Sequence, residues 1–138
     1  MMKLYRHGNT YIAPKGAYFE GNLRIPGNLI LPPDTHIWGK LEVDGNLELG
    51  PRSSVGGDVN CDNAVIGNDA KVKGALTAIE NVMVCDRVSL GSITSGGNIT
   101  LRPGIVVGEV RGAETIYVYG KIKSEKLQGR QVKVLGID

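Results

Sequence analysis

The feature that most constrains this chain is a spacing of glycines. Gly21, Gly39, Gly57, Gly74, Gly91 and Gly108 stand 18, 18, 17, 17 and 17 residues apart. Two positions after each comes an aliphatic residue: Leu23, Leu41, Val59, Leu76, Ile93 and Val110. Eight positions after each comes another: Leu29, Leu47, Val65, Val82, Ile99 and Ile116. A looser third set follows, Ile37, Val55, Val72, Val88 with Leu90, Val106 and Ile122. Self-similarity at a fixed period on this scale marks a solenoid. Each apolar set alternates, as GKLEVDGNLELG at 39–50 illustrates. Leu41, Val43, Leu47 and Leu49 point one way, Glu42 and Glu48 the other, as in strands. The period of two, with Gly, Pro or Asn every few residues, excludes helix.

The spacing predicts an all-β chain, a single-domain three-sided parallel β-helix of about six coils of 17–18 residues. Residues 1–20 form an aromatic-rich N-terminal segment, 21–134 the β-helix core and 135–138 the C-terminal end. The residues before the second-side strands are Asn28, Asn46, Ala64, Asn81, Asn98 and Thr115. Stacked, they predict an asparagine ladder broken at Ala64, since Asn suits corners and its amide can bond between coils. The glycine column is expected to supply positive φ at another corner. Along the first side the second inward position narrows through Ile25, Val43, Cys61, Ala78, Ser95 and Gly112. Cys61 is therefore a small core residue and Cys85 a corner residue, with no disulfide expected between them.

Composition excludes several classes. With a net charge of +2, the chain lacks the dense basic field of a nucleic-acid binder. The two cysteines form no CxxC pair, so no metal is expected, and no cofactor or small-molecule substrate either. No apolar run approaches a membrane span, and MMKLYRHGNT has no apolar core of a signal peptide. The expectation is a cytoplasmic protein. The basic, apolar residues 1–6 add an expected weak membrane association, effective through avidity in a polymer.

Strict 18-residue coils would suggest a left-handed hexapeptide helix. The slip to 17, and paired aliphatics such as Leu47/Leu49, Val82/Val84 and Ile99/Leu101, favour a right-handed one. Short coils of this style, with GGDV at 56–59, KVKGAL at 71–76, GEVRG at 108–112 and YGKIKS at 119–124, resemble the bactofilins. These are polymer-forming cytoskeletal proteins of bacteria with archaeal relatives. The resemblance covers about residues 21–134. It implies a right-handed β-helix that assembles end to end into nonpolar filaments without nucleotide, often at a membrane. The chain departs from that pattern in having almost no Pro-rich or charged tails.

An open solenoid end exposes unpaired backbone groups and a cross-section of core, and soluble monomers cover such ends. At the C-terminal end Val132, Val134 and Leu135 continue the strand pattern and are candidates for self-association. At the other end, Tyr5, Tyr11, Tyr18 and Phe19 crowd the first 19 residues. Tyr11 and Phe19 would stack below Leu29 and Ile37, either as a plug or as an adhesive surface. On the outer second side Ile30, Ile66, Met83 and Tyr117 suggest a lateral contact, unless a terminal segment folds over them.

The alternative function is a trimeric left-handed hexapeptide-repeat enzyme of acyltransferase type with His36 as its base. Asp34 could orient that ring, but the spacing indicates no Ser or Cys partner. His7 and His36 are the only histidines, too few for a three-histidine metal site within one chain. The carboxylates read as scattered, with Glu42 beside Arg24 as a surface pair. The sequence therefore points to a non-enzymatic structural protein whose partner is itself.

Overall fold

The computed structural model describes residues 3–136, in which every regular element is a strand. Coils stack in parallel around three faces. The second face runs through Thr10–Ile12, Asn28–Leu31, Asn46–Leu49, Asn63–Ile66, Val82–Val84, Ile99–Leu101, Thr115–Tyr119 and Gln131–Leu135. The first face begins with Leu23–Ile25, Leu41–Val43 and Val59–Cys61, the third with Tyr18–Phe19, His36–Ile37 and Ser54–Val55. Beyond these, Lys71–Ala78, Ser89–Ser95, Val106–Gly112 and Lys123–Gln128 each run continuously from the third face into the first. Seven strands therefore line the first face, one more than the glycine count predicts. Tyr5–His7 breaks the parallel rule, folding back antiparallel on Thr10–Ile12.

The merging of faces has a local cause. Successive inward residues across the third-to-first corner are four apart at Ile37–Leu41 and Val55–Val59, but three apart at Leu90–Ile93 and Val107–Val110. Losing one residue straightens a corner into a strand. Lys71–Ala78 is the transition: it keeps the extra residue as an irregularity between Val72 and Ala75, which is what a bulge does. The second-to-third turn stays constant throughout.

The third coil departs from the glycine-based register. Ala64 pairs with Leu47 and Val65 with Glu48. Ala64 is thus inward and buried, while Val65 is outward and 43% exposed. The residue lost from this coil lies between Cys61 and Ala64, where the glycine spacing suggested none. The asparagine column is consequently unbroken, because Asn63 takes the corner. Asn46 N–H donates to Asn28 Oδ1 at 2.8 Å, Asn63 Nδ2 to Asn46 Oδ1 at 3.0 Å, and Asn81 N–H to Asn63 Oδ1 at 3.0 Å. Asn98 N–H and Thr115 N–H continue it, donating to Asn81 and Asn98 Oδ1. Val106 is likewise outward, and Val107 takes its expected inward place.

The glycine column is not where φ turns positive. In the second-to-third turns it does so at Gly16, Asp34, Arg52, Asp69, Arg87 and Gly104, and one position earlier at Gly120; Gly8 and Gly136 also have positive φ. From Gly39 onward the glycines of the 17–18-residue spacing serve close approach instead, while Gly21 has open space around it. A Cβ at Gly91 would lie 2.7 Å from the Gly74 carbonyl oxygen, and one at Gly39 would collide with Asn22 Oδ1.

The interior is a dry stack of aliphatics, with Leu29, Leu41, Leu76, Ile93, Ile99 and Ile116 fully buried. Two inward columns change size along the axis. The first-face column shrinks from Ile25 through Val43, Cys61, Ala78 and Ser95 to Gly112. The column at the second-to-third turn first falls, through Thr35, Ser53 and Ala70, and then grows through Val88 to Ile105 and Ile122. The coils therefore read Ile/Thr, Val/Ser, Cys/Ala, Ala/Val, Ser/Ile and Gly/Ile. From the Cys61 coil onward the turn column gains bulk as the first-face column loses it, as close packing favours. The small polar members are satisfied locally. Thr35 Oγ1 donates to the Pro32 carbonyl at 2.7 Å, and Ser53 Oγ accepts from Thr35 N–H at 3.0 Å.

Candidate functional site

At the C-terminal end, Val132 and Val134 pair with Ile116 and Val118 and so continue two interior columns. Ile116 and Val118 are buried, whereas Val132 is 42% and Val134 69% exposed. Leu135 pairs with Tyr119 and is also exposed. Among the described residues, Lys123–Gln128 and Gln131–Leu135 each have a ladder partner on one side only. This end is charged as well: Lys121, Lys123, Lys126, Arg130 and Lys133 face a single acid, Glu125, over residues 121–136.

At the opposite end the coil register continues downward. Tyr11 pairs with Leu29 and Phe19 with Ile37. Both rings are partly buried against the core, while Tyr5 and Tyr18 stay exposed. Arg6 lies over the Tyr11 ring, 5.5 Å from its centroid. Met1, Met2 and Ile137, which belong to the predicted membrane-associating stretch and the C-terminal continuation, lie outside the described residues.

The proposed lateral column needs one correction. Its outward members are Ile30, Glu48, Val65, Met83, Thr100 and Tyr117. Ile66 pairs with Leu49, points inward and is fully buried, so it offers nothing to a neighbour.

Charged side chains are less scattered than their spacing suggests. Arg52 donates to both carboxylate oxygens of Asp34 at 2.9 and 3.1 Å, and Arg87 does the same to Asp69 at 2.9 and 3.1 Å. All four sit at the positive-φ turn position of successive coils. Each arginine's hydrogen bonds hold its partner carboxyl below the usual carboxylate range. By comparison, Arg24 and Glu42 are loosely placed at 3.9 Å and well exposed.

His36 does have a hydroxyl partner: its Nδ1 lies 2.6 Å from Ser54 Oγ, on the outward column of the third face. The 18-residue spacing could have revealed it. Asp34 does not complete a triad with them, because Arg52 occupies both of its oxygens. Cys61 is buried, and burial pushes its thiol up to about 12, which leaves it unreactive at neutral pH. Among the described residues no group of three or more His, Cys, Asp or Glu side chains converges. No family model, curated protein or solved structure matches the chain.

Proposed function

We propose that this protein is a structural rod that joins end to end into nucleotide-independent filaments and serves as a scaffold, in keeping with its resemblance to bactofilins. The observation that carries this reading is the last coil. Val132 and Val134 lie on columns that are buried in the coil below, yet stand open beside strands with unused edge groups. Such an edge is a template for a further strand. Covering the two valines and extending both ladders would contribute about 1.5–3 kcal/mol per fully buried side chain. No chemistry is required of the subunit, only shape, and assembly proceeds without enzyme activity or cofactor. The excess of lysine and arginine on the same end opposes the pairing of like ends. Assembly should therefore strengthen as salt screens these charges.

One observation favours the enzyme alternative, the Ser54 hydroxyl on His36. It lacks the third group that would orient the imidazole. Sedimentation separates the two readings, since an enzyme of that type is a discrete trimer.

The experiment is negative-stain electron microscopy with sedimentation of the purified protein beside a Val132→Asp/Val134→Asp variant. Circular dichroism checks that the variant keeps its fold. Wild-type filaments that vanish in the folded variant are the expected result. Compact particles of one size in both samples at every salt concentration would overturn the reading.

A further inference from the structure

The third face carries a feature that assembly does not use. Trp38, the chain's single tryptophan, stands 67% exposed, with Glu20 beside it on the coil below by the Phe19–Ile37 register. The next coil places Gly56 above it, and the coil after that Lys73, by continuation of the Ile37–Val55–Val72 register. Gly56 has no side chain, and a Cβ there would collide with the Trp38 carbonyl oxygen. An indole plate and a lysine therefore face each other across a bare position, about two strand spacings or roughly 9–10 Å apart along the axis. The parallel outward column supplies His36, Ser54 and Lys71. Trp38, Ser54, Gly56, Lys71 and Lys73 line one groove of about 430 Å³.

The lining of the groove is positively charged. No carboxylate lines it. The acids at the neighbouring turns, Asp34 and Asp69, are taken in bidentate fashion by Arg52 and Arg87. Among the described residues Lys71 and Lys73 form no ion pair, and they stand as two exposed point charges on an open strand face. A phosphate would more naturally sit at a helix N-terminus or in a nest of backbone amides, and a flat strand face offers neither. Trp38 presents an apolar plate with a polar tip, which suits a ring with one apolar face. Ser54 can donate and accept hydrogen bonds on the floor of the groove. Farther along the Trp38 column come Gly91 and Gly108, so the shelf continues along the axis without large side chains.

We infer that this groove binds an acidic sugar unit of a polysaccharide chain, its ring stacked on Trp38 and its carboxylate held by Lys71 and Lys73. The filament reading is not a premise of this inference, and either can fail without the other.

The lone tryptophan gives the test a direct readout. Full-length protein is titrated separately with an oligogalacturonate, a neutral oligosaccharide of equal length and a nucleoside diphosphate, following indole fluorescence. Expected is a saturable shift with the acidic ligand only, weakened about tenfold or more in a Lys71→Gln/Lys73→Gln variant. A Trp38→Ala variant, followed by calorimetry, should lose affinity to a similar degree. Both changes are on exposed side chains, and thermal melts check that the fold is retained. The inference is overturned by no saturable response to the acidic ligand, by equal binding of the neutral one, by an unaltered lysine variant, or by tighter binding of a nucleoside diphosphate.

Discussion

The first coils and the last coils enclose the same space by different means. Near the N-terminal end, Ile25 fills the first-face column and Thr35 the turn column, and the corner between third and first faces is a separate four-residue bend. Near the C-terminal end, Ser95 and Gly112 leave the first-face column nearly empty, while Ile105 and Ile122 fill the turn column. There the bend has lost a residue and two faces share one strand. The difference shows that the C-terminal coils place at the turn the bulk that the first-face column gives up. A column read alone looks like a taper. Read with its counterpart, it is a transfer of bulk from one corner of the interior to another.

The sharpest way to break that comparison is to remove the bulky member at either end. Ile25→Ala and Ile105→Ala should each cost about 2–5 kcal/mol in urea unfolding, the usual range for a buried aliphatic truncated to alanine. Similar losses at the two positions support the transfer; a negligible loss at one would show that its coil is not part of the cooperative core. Adding bulk where it has been withdrawn probes the same point from the other side. Ser95→Ile should overpack its coil by roughly 1–3 kcal/mol. Combined with Ile105→Ala it should cost less than the sum of the two, by at least about 0.5 kcal/mol. Strict additivity would mean that the two columns do not share their space.

The asparagine ladder sharpens the comparison because it runs through both halves. Asn81→Ala removes the acceptor for Asn98 N–H, at a corner close to solvent. The expected loss is about 0.5–1.5 kcal/mol, read as a lower urea midpoint at unchanged slope. An altered slope would instead indicate that the coils on either side had uncoupled. The smallest effect belongs to the Asp34–Arg52 and Asp69–Arg87 pairs, which lie at the surface and are screened. Their folded carboxyls titrate below the ordinary 3.8. Their contribution is therefore present above that value and lost as pH falls through the lowered one. Melting temperatures taken down through this acid range should fall less steeply for Arg52→Ala/Arg87→Ala than for wild type. Parallel curves would assign the pairs no role in stability.

The period, the three faces and the inward columns of the first face were legible from glycine spacing and alternation, since both follow directly from coil geometry. The third coil was misread because Val65 is more apolar than Ala64. Hydrophobicity favoured the valine, whereas the corner asparagine at Asn63 fixes the register. The positive-φ column was hidden because Gly, Asp and Arg all occupy it, with no single residue type to betray it. Its Asp–Arg pairing is legible only once residues 18 apart are known to be neighbours. The Ser54 partner of His36 was missed for the same reason. The open C-terminal strands were anticipated from their alternating valines, and what they join is a matter for the filament experiment.

The two interior columns have a further consequence for how the chain finds its order. Stacked repeats can nucleate at many points, and near-identical coils invite a strand to settle on the wrong neighbour, one full turn out of place. Here no two coils carry the same pair of interior side chains. A coil that skipped its proper neighbour would meet side chains of the wrong volume on one or both columns. The gradient thus gives each coil an address, and chain order is encoded by volume.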